Sequence, residues 1–200
     1  KACTDAGKVD KMRADIKKYR LLEKNIILGS TLIDVYAKCG ALVKAREVFD
    51  ELPLRDVVCW NTLISGYTQH GFIDEALTSF NQMQNEGITP DLVTFVCVLK
   101  ACSSIGSLDI GEDIHALIIK QGLLCKSIAL GNTLVDMYAK CCVLKKAQEV
   151  FDELPVRDVV SWNVLITGYA QLGEAKKVLN LLSKMSSEGV LPNVVTFLVL

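Results

Sequence analysis

The sequence predicts an all-α solenoid, in which helix–turn–helix units stack into a superhelix with two layers of helices. Three observations predict this fold. The chain matches itself when it is shifted by about 102 residues, a shorter helix–turn–helix unit recurs roughly every 31 to 36 residues, and each unit has apolar residues on more than one face. A unit of that kind cannot bury its apolar residues alone, so it must stack on its neighbours.

The long repeat lies in residues 28–98 and 130–200. The segment LGSTLIDVYAKC, which begins at Leu28, returns as LGNTLVDMYAKC from Leu130, and EVFDELP returns from Glu47 to Glu149. Roughly 39 of the 71 aligned positions are identical. Two copies of a globular domain would also give a long repeat, so it is the shorter period that favours a solenoid.

The stretch 57–91 shows the shorter unit best. A first amphipathic helix, a glycine turn and a second amphipathic helix follow one another, and Gly87 and Pro90 end the unit. The first helix is marked by Trp60, Leu63, Ile64 and Tyr67, the turn by Gly71, and the second helix by Ala76, Leu77, Phe80 and Met83. Because the tryptophans Trp60 and Trp162 share the face of these apolar residues, we expect them to pack in the core.

The same plan divides the rest of the chain. The predicted units are 26–56, 57–91, 92–127, 128–158 and 159–193, with 1–25 as the tail of an earlier unit and 194–200 as the start of a later one. One position breaks the plan, because Gly40 in the first turn is matched by Cys142. A cysteine at positive φ costs about 1 kcal/mol or more. Either that turn relaxes or the unit is less stable.

Composition argues against an enzyme, a metal site and a membrane protein. The chain has 22 basic and 23 acidic residues, two histidines and eight cysteines, without Cys-x-x-Cys, His-x-Glu, a Walker loop or a dinucleotide loop. We therefore expect no cofactor, no catalysis and no membrane partner, and we find no targeting segment in this chain. Five cysteines recur at matching places and are predicted to be free thiols packed as small hydrophobes: Cys3, Cys39, Cys59, Cys102 and Cys141.

Several segments resemble the plant pentatricopeptide-repeat proteins of the PLS class, which mix three repeat types. These segments are YAKCG from Tyr36, LPLRDVV from Leu52, WNTLISGY from Trp60, GITPD from Gly87, LKACS from Leu99, IHA from Ile114 and GL from Gly122. By this resemblance 1–25 is a partial L-type repeat and 92–127 an L-type repeat. Units 26–56 and 128–158 are S-type, 57–91 and 159–193 are P-type, and the superhelix is right-handed.

The resemblance implies a protein of the mitochondrion or the chloroplast that binds single-stranded RNA, one base per repeat. Such proteins specify sites for RNA editing or other processing together with further factors, and DNA is not an expected partner. An early side chain of each repeat's first helix and the last residue of the repeat read the base. The implied base-reading pairs are Ser30 with Asp56, Asn61 with Asp91, Asn132 with Asp158, and Asn163 with Asn193.

Each of these roles has a plainer alternative. Asn61 could cap its own helix and Asp91 the next one, because short polar side chains favour helix N-termini. The resemblance also implies that apolar residues flank the bases, although ordinary packing would explain them too: Ile27, Val58, Val93, Ala129, Val160 and Val195. Lys38 and Lys140 stand where the family has a phosphate contact, yet a helix C-terminus favours lysine anyway.

The pairing preferences of the family give the RNA element 5′-G-U-N-U-C-3′. Ser30 with Asp56 reads guanosine, the pairs of Asn61 and Asn132 read uridine, and Asn163 with Asn193 reads cytidine. The repeat 92–127 has Val96 and ends in Lys126-Ser127, so its base stays open. The alternative function is a protein- or peptide-binding scaffold of the tetratricopeptide type, which keeps a strict period of about 34 residues.

Overall fold

The computed structural model describes residues 2–19, 21–23 and 25–198, which form twelve α-helices, two short 3-10 helices and no β-strand. The helices are α1 (Ala2–Lys18), α2 (Ile26–Lys38), α3 (Leu42–Glu51), α4 (Val57–Gln69), α5 (Ile73–Asn85), α6 (Leu92–Ile105), α7 (Leu108–Lys120), α8 (Ile128–Lys140), α9 (Leu144–Glu153), α10 (Val159–Gln171), α11 (Ala175–Ser187) and α12 (Val194–Leu198), and the 3-10 helices are Leu21–Glu23 and Leu124–Lys126. The predicted all-α class is confirmed. Residues 1 and 199–200, at the edges of the outermost predicted units, lie outside the described residues.

Helix hairpins stack within each of two compact units, Lys1–Ala101 and Cys102–Leu200. In the first unit α2 packs against α3 and α4, and α4 packs against α5. In the second unit α8 packs against α9 and α10, and α10 packs against α11. A first helix therefore contacts both its own second helix and the first helix of the next hairpin, which is the arrangement of an α-solenoid. Among the described helices, none has both the length and the apolar character needed to cross a membrane.

The predicted apolar faces form the core. All the residues that marked the first and second helices of 57–91 are buried. Trp60 packs edge-on against Phe49 with ring centroids 4.5 Å apart, and Trp162 meets Phe151 in the same way at 4.8 Å. The prediction that both tryptophans pack in the core is confirmed.

An arginine closes the second helix in both copies of the LP-x-RDVV segment. Arg55 places its guanidinium 5.0 Å from the centre of the Phe49 ring, and its Nε donates to the Phe49 carbonyl at 3.2 Å. Its Nη2 donates to the Asp50 carbonyl at 3.3 Å. The last carbonyls of a helix lack intrahelical partners, so these bonds terminate α3. Arg157 repeats them at the end of α9.

A glycine allows the first helices to approach closely. A Cβ atom added to Gly66 of α4 would lie 2.8 Å from the Cβ of Ala37 in α2. In the second unit a Cβ on Gly168 of α10 would lie 2.9 Å from the Cβ of Ala139 in α8. Separations below about 3 Å are not compatible with this packing, so the spacing between stacked first helices depends on these glycines.

The cysteines agree only in part with the prediction that they pack as small hydrophobes. Cys59 and Cys102 are fully buried, and burial raises the pKa of each thiol to about 11, which makes both unreactive at neutral pH. Cys39 and Cys141 are partly exposed instead, because each is the residue that ends a first helix. The side chain of Cys3 lies outside the described residues.

Cys142 keeps the backbone conformation of the glycine that it replaces. Its φ is 60°, and it is the only residue other than glycine with positive φ among the described residues; Gly40 has φ 72°. The flanking hydrogen bonds also match, because Val143 N donates to Tyr138 O as Ala41 N donates to Tyr36 O, each at 2.9 Å. The turn has not relaxed, so the cysteine carries the strain.

Replacing Cys142 by glycine should therefore stabilise the protein. We expect Cys142→Gly to raise the free energy of unfolding by about 1 kcal/mol, because the left-handed conformation costs glycine little. The reverse substitution at the matching turn, Gly40→Cys, should lower the free energy of unfolding by a similar amount. Urea unfolding of both variants beside the wild type checks this, and an unchanged midpoint for Cys142→Gly would contradict it.

Candidate nucleic-acid interface

Asn61 and Asp91 meet at the junction of two hairpins in the first unit. Asp91 immediately precedes α6, and its Oδ1 accepts the backbone N–H of Thr94 at 3.0 Å, as a helix N-cap does. The same oxygen accepts a hydrogen bond from Asn61 Nδ2 at 2.9 Å. Asp91 is thus both a cap and a partner of Asn61, so the two interpretations of Asp91 hold together.

Asn61 is not a helix cap. Helix α4 begins at Val57, and its N-cap is Asp56, whose carboxyl group accepts the backbone N–H of Cys59 at 2.9 Å. Asn61 lies one turn further along the helix and is only 7% exposed. The interpretation of Asn61 as a cap is therefore wrong. A buried amide needs hydrogen-bond partners, and it finds them on the next hairpin.

Thr94 fixes the orientation of the Asn61 amide. Its Oγ1 donates to Asn61 Oδ1 at 2.6 Å, and it is fully buried. Since the Asp91 carboxylate can only accept, the amide nitrogen must face Asp91 and the amide oxygen must face the threonine. Asn61 Nδ2 carries a second N–H, and the Asp91 carboxylate has a second oxygen that can accept, so the pair can present a donor beside an acceptor.

This pair lines an open cleft of ≈ 340 Å³. Val58 and Val93 lie on its walls and are 53% and 54% exposed. The remaining wall includes Asp34 and Lys38 of α2. The volume is near the lower end of the roughly 300–1,000 Å³ of small-molecule sites.

The pKa of the Asp91 carboxyl group is lowered. Partial burial alone would raise that pKa, but the hydrogen bonds from the Thr94 backbone and the Asn61 amide outweigh it. Asp158 shows the same balance, with Ser161 and Asn132 as the donors. Both carboxyl groups are therefore charged acceptors at neutral pH.

The second unit repeats the arrangement with an amide in place of the carboxylate. Asn163 Nδ2 donates to Asn193 Oδ1 at 3.2 Å, and Thr196 Oγ1 donates to Asn163 Oδ1 at 2.6 Å. The backbone N–H of Thr196 donates to Asn193 Oδ1 at 3.1 Å. Asn193 therefore turns its NH₂ group outward, so this pair presents two donors.

The pair of Asn132 and Asp158 is looser. Asn132 Nδ2 lies 3.3 Å from Asp158 Oδ1, and the residue three positions after the aspartate is Ser161. The hydroxyl of Ser161 donates to Asp158 Oδ1 at 2.9 Å instead of to the amide. As a result Asn132 Oδ1 is buried and accepts no hydrogen bond from the residues that the structure describes.

Ser30 and Asp56 are not joined by a hydrogen bond in the described part of the first unit. The Ser30 hydroxyl donates to the carbonyl of Ile27 within α2, and Asp56 caps α4. Cys59 stands at the position that corresponds to Thr94, and it has no hydroxyl to link the two. The structure therefore brings together three of the four predicted pairs.

The predicted flanking residues lie on the surface. Val58 and Val93 line the cleft and are exposed. The other four predicted flanking residues are exposed as well: Ile27, Ala129, Val160 and Val195. Their side chains are available to a ligand, in contrast to the buried residues of the same helices.

Few charges lie on the helices that carry the Asn–Asx pairs. Helices α4 and α10 contain no Lys, Arg, Asp or Glu. Lys38 is bonded to Asp34 at 2.6 Å and Lys140 to Asp136 at 2.7 Å, each within its own helix. Because each lysine is neutralised by a neighbouring aspartate, α2 and α8 add no net positive charge.

Thr94, Ser161 and Thr196 were not identified from the sequence. In the sequence each looks like an ordinary residue at the start of a helix, because no neighbouring residue indicates a hydrogen bond to an asparagine some 30 residues earlier. A signal was present, however: a hydroxyl residue follows Asp91, Asp158 and Asn193 at the same distance of three positions.

The fold and the recurring polar pairs define a helical-repeat protein, and comparison with known families specifies which one. A profile described as the PPR repeat family matches residues 55–104 and 157–200, and a PPR repeat profile matches 30–57 and 132–159. The chain belongs to the pentatricopeptide repeat family.

Its relatives are longer proteins. One pentatricopeptide repeat-containing protein of Arabidopsis thaliana is 43% identical over 176 residues, which cover 88% of this chain and 21% of the relative. Another, whose name marks it as chloroplastic, is 38% identical over 178 residues, 89% of this chain and 29% of the relative. The chain thus spans less than a third of the length of these two proteins.

Solved structures show the same fold. The pentatricopeptide repeat protein PPR10 from maize superposes with a TM-score of 0.72 at 22% identity, over 88% of this chain and 26% of that one. PPR10 in complex with an 18-nucleotide psaJ RNA element gives 0.71 at 21% identity, over 92% and 28%. The PPR domain of protein-only RNase P 1 of Arabidopsis thaliana, in complex with tRNA, gives 0.65 at 15% identity, over 82% and 91%.

The lowered pKa of Asp91 predicts a pH dependence of stability. A carboxyl group with a depressed folded-state pKa stabilises the protein above its unfolded pKa of about 3.9, and this contribution is lost as the pH falls through the folded value. We therefore expect the wild type to lose stability relative to Asp91→Asn between pH 5 and pH 3. Urea unfolding at both pH values measures the difference.

The control for this measurement is Asp113→Asn, which removes the same formal charge from an exposed position on α7. An equal pH dependence for the two variants would show that the hydrogen bonds to Asp91 do not contribute.

Proposed function

We propose that this chain binds single-stranded RNA and reads one base with each repeat, through the polar pairs at the hairpin junctions. The observation that carries the proposal is the recurrence of one arrangement: a buried asparagine bonded to the Asx residue before the next helix, beside exposed apolar side chains. PPR10 in complex with a psaJ RNA element and the PPR domain of RNase P 1 in complex with tRNA support the same class of partner.

Uridine suits the pair of Asn61 and Asp91. An unpaired uracil offers its N3–H as a donor and its O4 as an adjacent acceptor. The second oxygen of Asp91 would accept the first, and the second N–H of Asn61 would donate to the second. Asn132 with Asp158 presents the same two groups and would also read uridine.

Cytidine suits the pair of Asn163 and Asn193. Cytosine has acceptors at both N3 and O2, whereas uracil has a donor at N3. The outward NH₂ group of Asn193 would donate where Asp91 accepts, so a single change from carboxylate to amide reverses the preference. Burial adds to the discrimination, because a mismatched base leaves a desolvated polar group unpaired, at roughly 1–3 kcal/mol.

The full element proposed is 5′-G-U-N-U-C-3′, with the N-terminal repeat towards the 5′ end. Ser30 with Asp56 reads guanosine by family preference, and this is the least supported position because the two side chains do not bond. The repeat 92–127 has Val96 in the reading position, so its base is open. The repeat bounds and their P, L and S types form part of this proposal.

The flanking residues would hold each base by its faces. Val58 and Val93 flank the site of Asn61, and Val160 and Val195 flank that of Asn163. Ile27 and Ala129 are the second residues of the two S-type repeats. Aliphatic contacts of this kind add affinity whatever the base, because they exclude water from its faces.

Affinity should be modest and only weakly dependent on salt. The net charge is −1, and Lys38 and Lys140 are paired with aspartates, so each aspartate offsets the attraction of its lysine for a phosphate. Five bases, opposed by the entropy of ordering the RNA, should give a Kd of roughly micromolar order.

The biological role proposed is recognition without catalysis, in support of editing or other RNA processing in a mitochondrion or chloroplast. Two of the Arabidopsis relatives have names that mark them as chloroplastic, which supports an organellar site. Other processing factors would act on the RNA that this chain selects.

Selection of bound RNAs from a randomised single-stranded pool tests the proposal. We expect enrichment of G-U-N-U-C, with the strongest preference at the second and fifth positions, where the polar pairs are completed by a threonine. A pool that shows no enrichment, together with capture of an extended peptide instead, would favour a protein-binding scaffold.

Reciprocal variants test the assignment of residues to bases. Asp91→Asn should shift the second base from uridine towards cytidine, and Asn193→Asp should shift the fifth base from cytidine towards uridine, each by roughly tenfold in relative affinity. Each variant is the control for the other position.

Asn61→Thr with Asp91 retained should shift the second base towards guanosine, by family preference. Unchanged preferences in all three variants would refute the assignment.

A further inference from the structure

The three Asn–Asx pairs differ in what the residue three positions further on does. Thr94 and Thr196 donate to the amide oxygen of the asparagine, both at 2.6 Å. Ser161 donates to Asp158 and leaves Asn132 Oδ1 buried without a donor. The three asparagines are nearly equally buried, at 7–8% exposure, so burial does not explain the difference.

The difference coincides with the identity of this residue, which is threonine in two junctions and serine in the third. Threonine is branched at Cβ, which restricts its χ1 angle, and in both hairpin junctions its Oγ1 lies between the Asx residue and the asparagine. Ser161 keeps the contacts with its own aspartate, because Asp158 N donates to its hydroxyl at 3.2 Å as Asp91 N donates to Thr94 Oγ1 at 3.1 Å. Only the bond to the asparagine is lost. The distances agree, since the Asn–Asx bond is 2.9 Å beside Thr94 and 3.3 Å beside Ser161 when the acceptor is a carboxylate in both cases.

We propose that this hydroxyl residue is a specificity-determining positioning residue: threonine locks the amide of the base-reading asparagine, whereas serine leaves it loose. Thr94 and Thr196 touch no base in this scheme. They act through Asn61 and Asn163, because they hold the amide oxygen inward and so keep an N–H directed at the ligand. The inference rests on the proposed function and adds a third residue to each reading pair.

The locking can be measured in the free protein. The side-chain NH₂ protons of Asn61 and Asn163 should exchange with solvent more slowly than those of Asn132 in ¹H–¹⁵N spectra. Thr94→Val, which keeps the branched shape and removes the hydroxyl, should speed the exchange of Asn61 alone. Ser161→Thr should slow that of Asn132. Equal exchange rates at the three asparagines, unmoved by both variants, would overturn the inference without any RNA present.

The specificity is measured with the wild-type element and RNAs changed at one base. Thr94→Val should reduce the preference for uridine over cytidine at the second base by about fivefold, with the fifth base unaffected. Ser161→Thr should sharpen the preference at the fourth base by a similar factor. Thr94→Ser should fall between the wild type and Thr94→Val, because the hydroxyl remains but loses its restricted rotamer.

The outcomes separate the two proposals. A uridine preference that survives Thr94→Val overturns the positioning role and leaves the proposed function intact. A wild type that binds without any base preference overturns the proposed function and, with it, the role of Thr94 in specificity. Thermal unfolding of each variant completes the comparison, since a purely structural role would change the melting temperature and leave the ratio of affinities constant.

Discussion

The stacking of hairpins depends on one shared side chain at three of the junctions, where an asparagine meets Asp91, Asp158 or Asn193. Asp91 and Asn193 each accept the backbone N–H three residues ahead, which starts the next first helix, and each also accepts an N–H from an asparagine of the preceding first helix. Local helix formation and the stacking of successive hairpins therefore use the same oxygen atom. Because the acceptor must lie within hydrogen-bond distance of both donors, the register between adjacent first helices is fixed at this point.

Side-chain packing in the core also constrains how adjacent first helices are placed. Gly66 and Gly168 let the first helices approach to a distance that a side chain would forbid, and the edge-on contacts of Trp60 and Trp162 fill the space beneath. Arg55 and Arg157 then end the second helices by binding their last carbonyls. These contacts recur at matching places in the two units, and each involves one side chain.

The sequence predicted the helices well because the signals for them are local. Apolar residues three and four apart and glycines at positive φ need only a few neighbouring residues to be read, so the buried faces of 57–91 and the strained turn at Cys142 follow directly. The bond between Asn61 and Asp91 spans 30 residues, and no local pattern reveals it; the family resemblance paired them instead. Thr94 was missed for the same reason, and the exposure of Cys39 and Cys141 was misjudged because recurrence does not measure burial. The bases assigned to each pair stay predictions.

The absence of charged residues from α4 and α10 has a consequence for how such a protein would search a pool of transcripts. Release of counterions usually supplies a sequence-independent attraction that holds a protein on any RNA and lets it slide. A surface with few cations gives up most of that attraction. Encounters with unrelated transcripts would then be brief, and abundant competitors would sequester little of the protein. Occupancy of the proper target would depend on its own concentration and on the quality of its bases.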